Sequence, residues 1–110
     1  MKKMSSAERE ALLLALASQV LEESLTPGEM LRKLRKDVLQ MNQDRYAGLV
    51  GISRRTLSDL EKDQGNPSVA LLNSAFKPFG LKMSVLPRSQ SMLNLLLEKQ
   101  VREKKPDESF

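Results

Sequence analysis

Arg54 and Arg55 stand side by side directly after Ser53, and Ser58 and Asp59 follow the two arginines at a spacing of four. Arginine presents a planar fork of N–H donors. Two of those bonds fit the major-groove edge of guanine, a contact worth roughly 1–3 kcal/mol in discrimination, and the same fork fits a phosphate. Asp59 can accept from the amino group of cytosine, or close a local ion pair with Arg55. Arg45 and Lys62 add two cations suited to phosphate. The chemistry is reversible hydrogen bonding to a polyanion. The bland reading is a solvated basic face, and which arginine meets a base stays open.

These side chains need elements that turn them outward together. The run from Gln43 to Leu60 reads as a helix-turn-helix, two short helices meeting at a tight corner. Gln43 opens the first helix, and Ala47 is small where that helix must approach the second. Gly51 sits at the corner, where a positive φ is cheap only for glycine. Ile52, Leu57 and Leu60 are spaced to point into the core, which leaves Ser53, Arg54, Arg55, Ser58 and Asp59 outside. A second helix of this kind lies in the major groove of DNA with its N-terminal residues at base edges.

Composition narrows the field. The 110 residues make one small domain with additions. Tyr46, Phe76, Phe79 and Phe110 are the four aromatics, so the core rests on Leu, Met, Val and Ile. The chain has no Cys and no His, which excludes a disulfide framework, a Cys/His zinc site and the commonest general base. Ser53 and Ser58 lack a conventional base to make them nucleophiles, and there is no Gly-rich phosphate loop before a helix. No enzyme activity, cofactor or metal is expected. The formal net charge of +4 is compatible with a polyanionic partner. Its distribution says more: residues 1–27 carry 3 basic and 4 acidic groups, 28–65 carry 8 and 6, and 66–110 carry 7 and 4. The apolar stretch Ala11 to Ala17 is too short to span a membrane, and its acidic flanks do not suit a signal peptide. The expected location is the bacterial cytoplasm, at the nucleoid.

Local signals divide the chain into residues 1–25, an N-terminal amphipathic helix; 26–80, the DNA-binding domain; 81–87, a strand; and 88–110, a C-terminal helix and flexible tail. Ser5 with Glu8 makes a capping box, and Leu12, Leu13, Leu16, Val20 and Leu21 form one stripe, to be buried by packing or dimerisation. Thr26-Pro27-Gly28-Glu29 starts a helix that runs to about Leu39. Asn42 and Ser53 cap the next two, Ser68 or Asn66 starts the one after them, and Pro78 ends or kinks this last helix. Leu81 to Leu86 alternates apolar with polar and meets Pro87, as a short strand does. It has no obvious partner within the chain, so pairing of Lys82, Met83, Ser84, Val85 and Leu86 with the same strand of a second subunit is the economical solution. Ser91 to about Glu103 reads as a further helix, and Lys104 to Phe110 as a disordered tail whose Phe110 is either a partner anchor or an ordinary terminus.

Residues 26–80 resemble the XRE family of Cro and phage-repressor-like proteins. The likeness rests on Gln43, Ala47, Gly51, Ile52-Ser53, Leu57-Ser58, Leu60-Glu61, Gly65 and Pro67-Ser68. It implies an all-α, lambda-repressor-like bundle of four or five helices, here with added N- and C-terminal helices and a short dimerisation β-strand. The segment Phe79 to Leu86 resembles the HipB-type antitoxins, which implies a homodimer, repression of its own operon, and binding of a HipA-like serine/threonine kinase toxin. The family pattern further implies that Ser53 and Ser58 touch bases or phosphates and that Gln43 touches phosphate. It also implies that Glu61 pairs with Arg35 or Lys36 of the first domain helix. Three departures stand out: one extra residue between Leu34-Arg35 and Gln43, Tyr46 in an aliphatic position, and Pro78 within the closing helix. The reading is a repressor of double-stranded operator DNA, with two recognition helices about 34 Å apart on a palindrome. Its rivals are a phage or plasmid repressor without a toxin, and a helix-turn-helix scaffold that grips a protein partner.

Overall fold

The structure is a computed structural model and describes residues 3–103. Six α-helices follow one another: α1 (Ser6–Leu21), α2 (Pro27–Lys33), α3 (Gln43–Val50), α4 (Arg54–Glu61), α5 (Val69–Phe76) and α6 (Gln90–Glu103). The chemistry of their first turns explains where they start. Ser5 and Glu8 close a capping box on α1, and Thr26 and Glu29 close another on α2. Hydrogen bonds from the Ser5 backbone and hydroxyl hold the Glu8 carboxyl below its ordinary range. Asn42, Ser53 and Ser68 each accept from a backbone N–H in the first turn of α3, α4 and α5. The Ser89 hydroxyl accepts from the Met92 amide at 3.0 Å and does the same for α6, which begins at Gln90, one residue earlier than the sequence suggested.

One core holds the first five helices together. Leu31 and Leu34 meet Tyr46, Leu57, Leu60 and Phe76, all buried. Leu16 of α1 joins the same cluster, with Leu12, Leu13, Ala17 and Val20 packed at its edge. The apolar stripe of α1 therefore has a partner inside its own chain, the packing alternative of the two expected. Leu93 is the buried residue of α6.

The helix that opens the domain departs from expectation. It does not run as one α-helix to Leu39: Leu34–Val38 is a π-helical turn, closed by the Leu39 amide on the Leu34 carbonyl at 3.3 Å. The wider i→i+5 winding takes in one more residue than an α-turn. Gln40 then adopts φ +53°, a left-handed conformation that redirects the chain into α3.

Gly28 is required where α2 meets the end of α4. A Cβ there would lie 2.4 Å from the Leu60 carbonyl oxygen and 2.7 Å from Asp63 Oδ1. Asp63 is in contact because its carboxylate accepts from the Gly28 amide at 2.9 Å and from the Thr26 hydroxyl, a second cap on α2 supplied from beyond α4. Gly28→Ala is therefore expected to cost about 1–3 kcal/mol, since a backbone carbonyl cannot step aside as a flexible side chain can. Thermal unfolding checks this, and an unchanged midpoint refutes the close approach.

Pro78 acts as expected. The helix α5 stops at Phe76, a 3-10 turn covers Lys77–Phe79, and Gly80 turns left-handed at φ +72°. The strand expected at Lys82, Met83, Ser84, Val85 and Leu86 does not form: no strand occurs among the described residues. A ladder needs a second strand, and the described residues offer none. The Met83 amide donates instead to Asn73 Oδ1 at 2.7 Å. The tail Lys104 to Phe110, Phe110 included, lies outside the described residues.

Candidate nucleic-acid interface

The corner between α3 and α4 is set by local chemistry. Asn42 Oδ1 accepts from the Arg45 amide at 2.8 Å and starts α3. Gly51 ends it in the left-handed region at φ +77°, and the Ile52 amide returns to the Ala47 carbonyl at 3.0 Å. Ser53 then caps α4, its hydroxyl accepting from the Thr56 amide at 3.0 Å and donating to Thr56 Oγ1 at 2.8 Å. Leu57 and Leu60 of α4 are buried, so the helix turns its other side to solvent. Arg54 and Arg55 are exposed at its start, and Ser58 and Asp59 are half-buried.

A buried ion pair fixes the angle between these helices. Arg35 Nε meets Glu61 Oε2 at 2.6 Å and Arg35 Nη2 meets Oε1 at 2.9 Å, a bidentate pair closed to water. Arg35 Nη1 also donates to the Met41 carbonyl at 2.8 Å, and Gln43 Nε2 donates to Glu61 Oε1 at 3.0 Å. One carboxylate therefore joins the π-helical turn after α2, the start of α3 and the end of α4. Of the two partners expected for Glu61 it is Arg35 that pairs, while Lys36 is exposed.

Tyr46 explains itself in the same region. Its ring is fully buried and stacks on Phe79 at 5.9 Å between centroids, and its hydroxyl donates to the Ala75 carbonyl. An aliphatic side chain in this position cannot make that bond to α5. Burial raises the Tyr46 phenol above its ordinary pKa, and the nearby Glu61 carboxylate adds to this.

The sequence-predicted contact residues fall into two groups. Arg45, Arg54, Arg55 and Lys62 are exposed cations on or beside the two helices. Ser53 and Gln43 are partly spent on the fold: the Ser53 hydroxyl holds the helix start, and Gln43 turns its amide nitrogen inward to Glu61. What Gln43 retains for a phosphate is its second amide N–H and the backbone at the start of α3. The ion pair suggested between Arg55 and Asp59 does not form among the described residues. A base that precedes its acid by four positions is the weaker orientation on a helix. Arg54 pairs instead with Asp44 across the corner, Nη1 to Oδ2 at 3.6 Å. The sequence carried no sign of that contact, because the two residues lie on different helices and no periodicity links them.

No group of three or more acidic, His or Cys side chains placed to hold a metal occurs among the described residues. No helix among them is long and apolar enough to cross a membrane.

The comparisons with known proteins meet on this same segment. The family described as Helix-turn-helix matches residues 31–86, half of the chain. The HTH-type transcriptional regulator PuuR of Escherichia coli (strain K12) is 32% identical over 63 residues, covering 57% of this chain and 34% of its own length. The regulator of the same name from Shigella flexneri matches with the same figures. The chain thus spans about a third of the length of these curated relatives. No solved structure matches.

Proposed function

This chain belongs to the helix-turn-helix family, and we propose from that premise that it is a sequence-specific DNA-binding repressor working as a homodimer. The observation that carries the reading is the exposed Arg54-Arg55 pair at the N-terminus of α4, on a helix whose opposite side is locked into the core. The start of a recognition helix is where side chains reach base edges. Arg45 and Lys62 supply phosphate contacts beside it, with the start of α3 at Gln43. Ser58 and Asp59 lie further along the reading face, and Ser53 serves chiefly as the cap that aims Arg54.

The second subunit is the natural partner of Lys82 to Leu86. Among these five residues only the Met83 amide is bonded within the described chain, and Val85 is 94% exposed. A symmetric strand pair would satisfy the remaining amides and cover Val85. The finer reading, an antitoxin that binds a HipA-like kinase and represses its own operon, rests on the likeness of Phe79 to Leu86 to that group. Neither relative named above bears on it.

Binding to a selected duplex across a salt series tests the proposal. The two cations placed on phosphate, Arg45 and Lys62, predict a log–log slope near −2 per subunit. Binding that is weak, indifferent to sequence and flat in salt would overturn the repressor reading and favour a scaffold for protein partners.

A further inference from the structure

Asp44 sits in the first turn of α3, where its carboxylate suits the positive end of the helix dipole, but its pairing with Arg54 adds little to the fold. The two side chains are 69% and 65% exposed, and the contact is 3.6 Å long. An exposed pair of this kind contributes about 0–1 kcal/mol to folding. A carboxylate in the first turn of α3 also opposes the approach of a phosphate to that surface. The backbone that carries each side chain is nonetheless fixed. Asn42 caps the helix start, and Gln43, the residue before Asp44, is tied to the buried Glu61 of α4. Ser53 fixes the backbone just before Arg54.

We propose that Asp44 is a specificity-determining positioning residue: its carboxylate holds the Arg54 guanidinium in one place on the DNA-facing surface, so that Arg54 reads a base edge instead of pairing with the nearest phosphate. The inference rests on the DNA-binding reading above. The stoichiometry of donors allows it. A guanidinium has five N–H groups, and a contact through Nη1 leaves the rest of the fork free for a bidentate bond to guanine. Docking on DNA expels water from the pair and strengthens it, so the constraint tightens at the moment of reading.

The test is the base-preference profile of the full chain on a library of randomised duplexes, compared among wild type, Asp44→Asn, Asp44→Glu, Arg54→Ala and the Asp44→Asn/Arg54→Ala double variant. Asp44→Asn is expected to flatten preference at one base step by about fivefold or more, leave the other positions alone, and raise affinity for non-specific DNA. Asp44→Glu should restore part of the preference. In the Arg54→Ala background, Asp44→Asn should change the profile no further. A uniform loss across all positions, or an unchanged profile from Asp44→Asn in a chain whose wild type discriminates, overturns the inference alone. A wild type that shows no base preference overturns the DNA-reading function and this inference with it.

Discussion

Replacing Arg54 and Arg55 together with alanine is expected to lower affinity for a selected duplex by about thirtyfold to twenty-thousandfold, two contacts at roughly 1–3 kcal/mol each. The melting temperature should stay where it is, because both side chains are exposed and surface changes of this kind fall within about ±0.5 kcal/mol. The single variants separate the roles. The arginine that reads a base relaxes preference at one position when removed, whereas one that meets phosphate weakens all sequences alike and reduces the salt slope by about one. Anisotropy titrations alongside thermal melts give both answers. A double variant that still binds within threefold of wild type would remove these two residues from the interface, and the reading face would have to be sought elsewhere on the molecule.

The second large effect is on folding. Glu61→Ala is expected to destabilise the chain by about 3–5 kcal/mol, because it leaves the Arg35 guanidinium buried with only the Met41 carbonyl as partner. Domains of this size are stable by only about 5–15 kcal/mol, so a sizeable part of that margin would go. The contrast lies in the paired replacement. Arg35→Met with Glu61→Leu removes both charges and keeps the volume, and should recover most of the loss. Gln43 loses its inward partner in either variant, so the folded remainder of Glu61→Ala should bind DNA less well than its folded fraction predicts. Denaturant unfolding measures the first effect. A single variant within about 1 kcal/mol of wild type would mean that Arg35 finds water once Glu61 is gone.

The caps were legible in the sequence because cap chemistry is local. Ser5 with Glu8, Thr26 with Glu29, and Asn42, Ser53 and Ser68 all act within four residues of themselves, and each starts a helix where it was expected. The turn at Gly51 and the stop near Pro78 were legible for the same reason. Contacts between distant segments were not. Asp63 completes the start of α2 from 35 residues away, and Gly28 matters for a carbonyl on α4 that no pattern around it reveals. The strand was read from alternation that meets Pro87 and from a family likeness, yet alternation describes only which side chains share a face. A strand also needs a ladder partner, and the described residues of the single chain supply none. In the site itself the exposed arginines were legible from the faces of α4, whereas the carboxylate beside Arg54 sits on another helix.

The π-helical turn at Leu34–Val38 bears on how relatives of this chain should be aligned. The family resemblance counts one extra residue between Arg35 and Gln43, and the π-helical turn, which takes in one more residue than an α-turn, lies over the same stretch. A gap drawn in the link before α3, where convention puts insertions, would therefore pair the wrong residues over the last turn of that element. Arg35, the partner of Glu61, stays opposite its equivalents under either placement, because the extra residue follows it; the register at stake is that of the residues from Lys36 to Leu39. A shorter relative can then be superposed on this chain without moving α3, because the difference in length is taken up as a change of pitch.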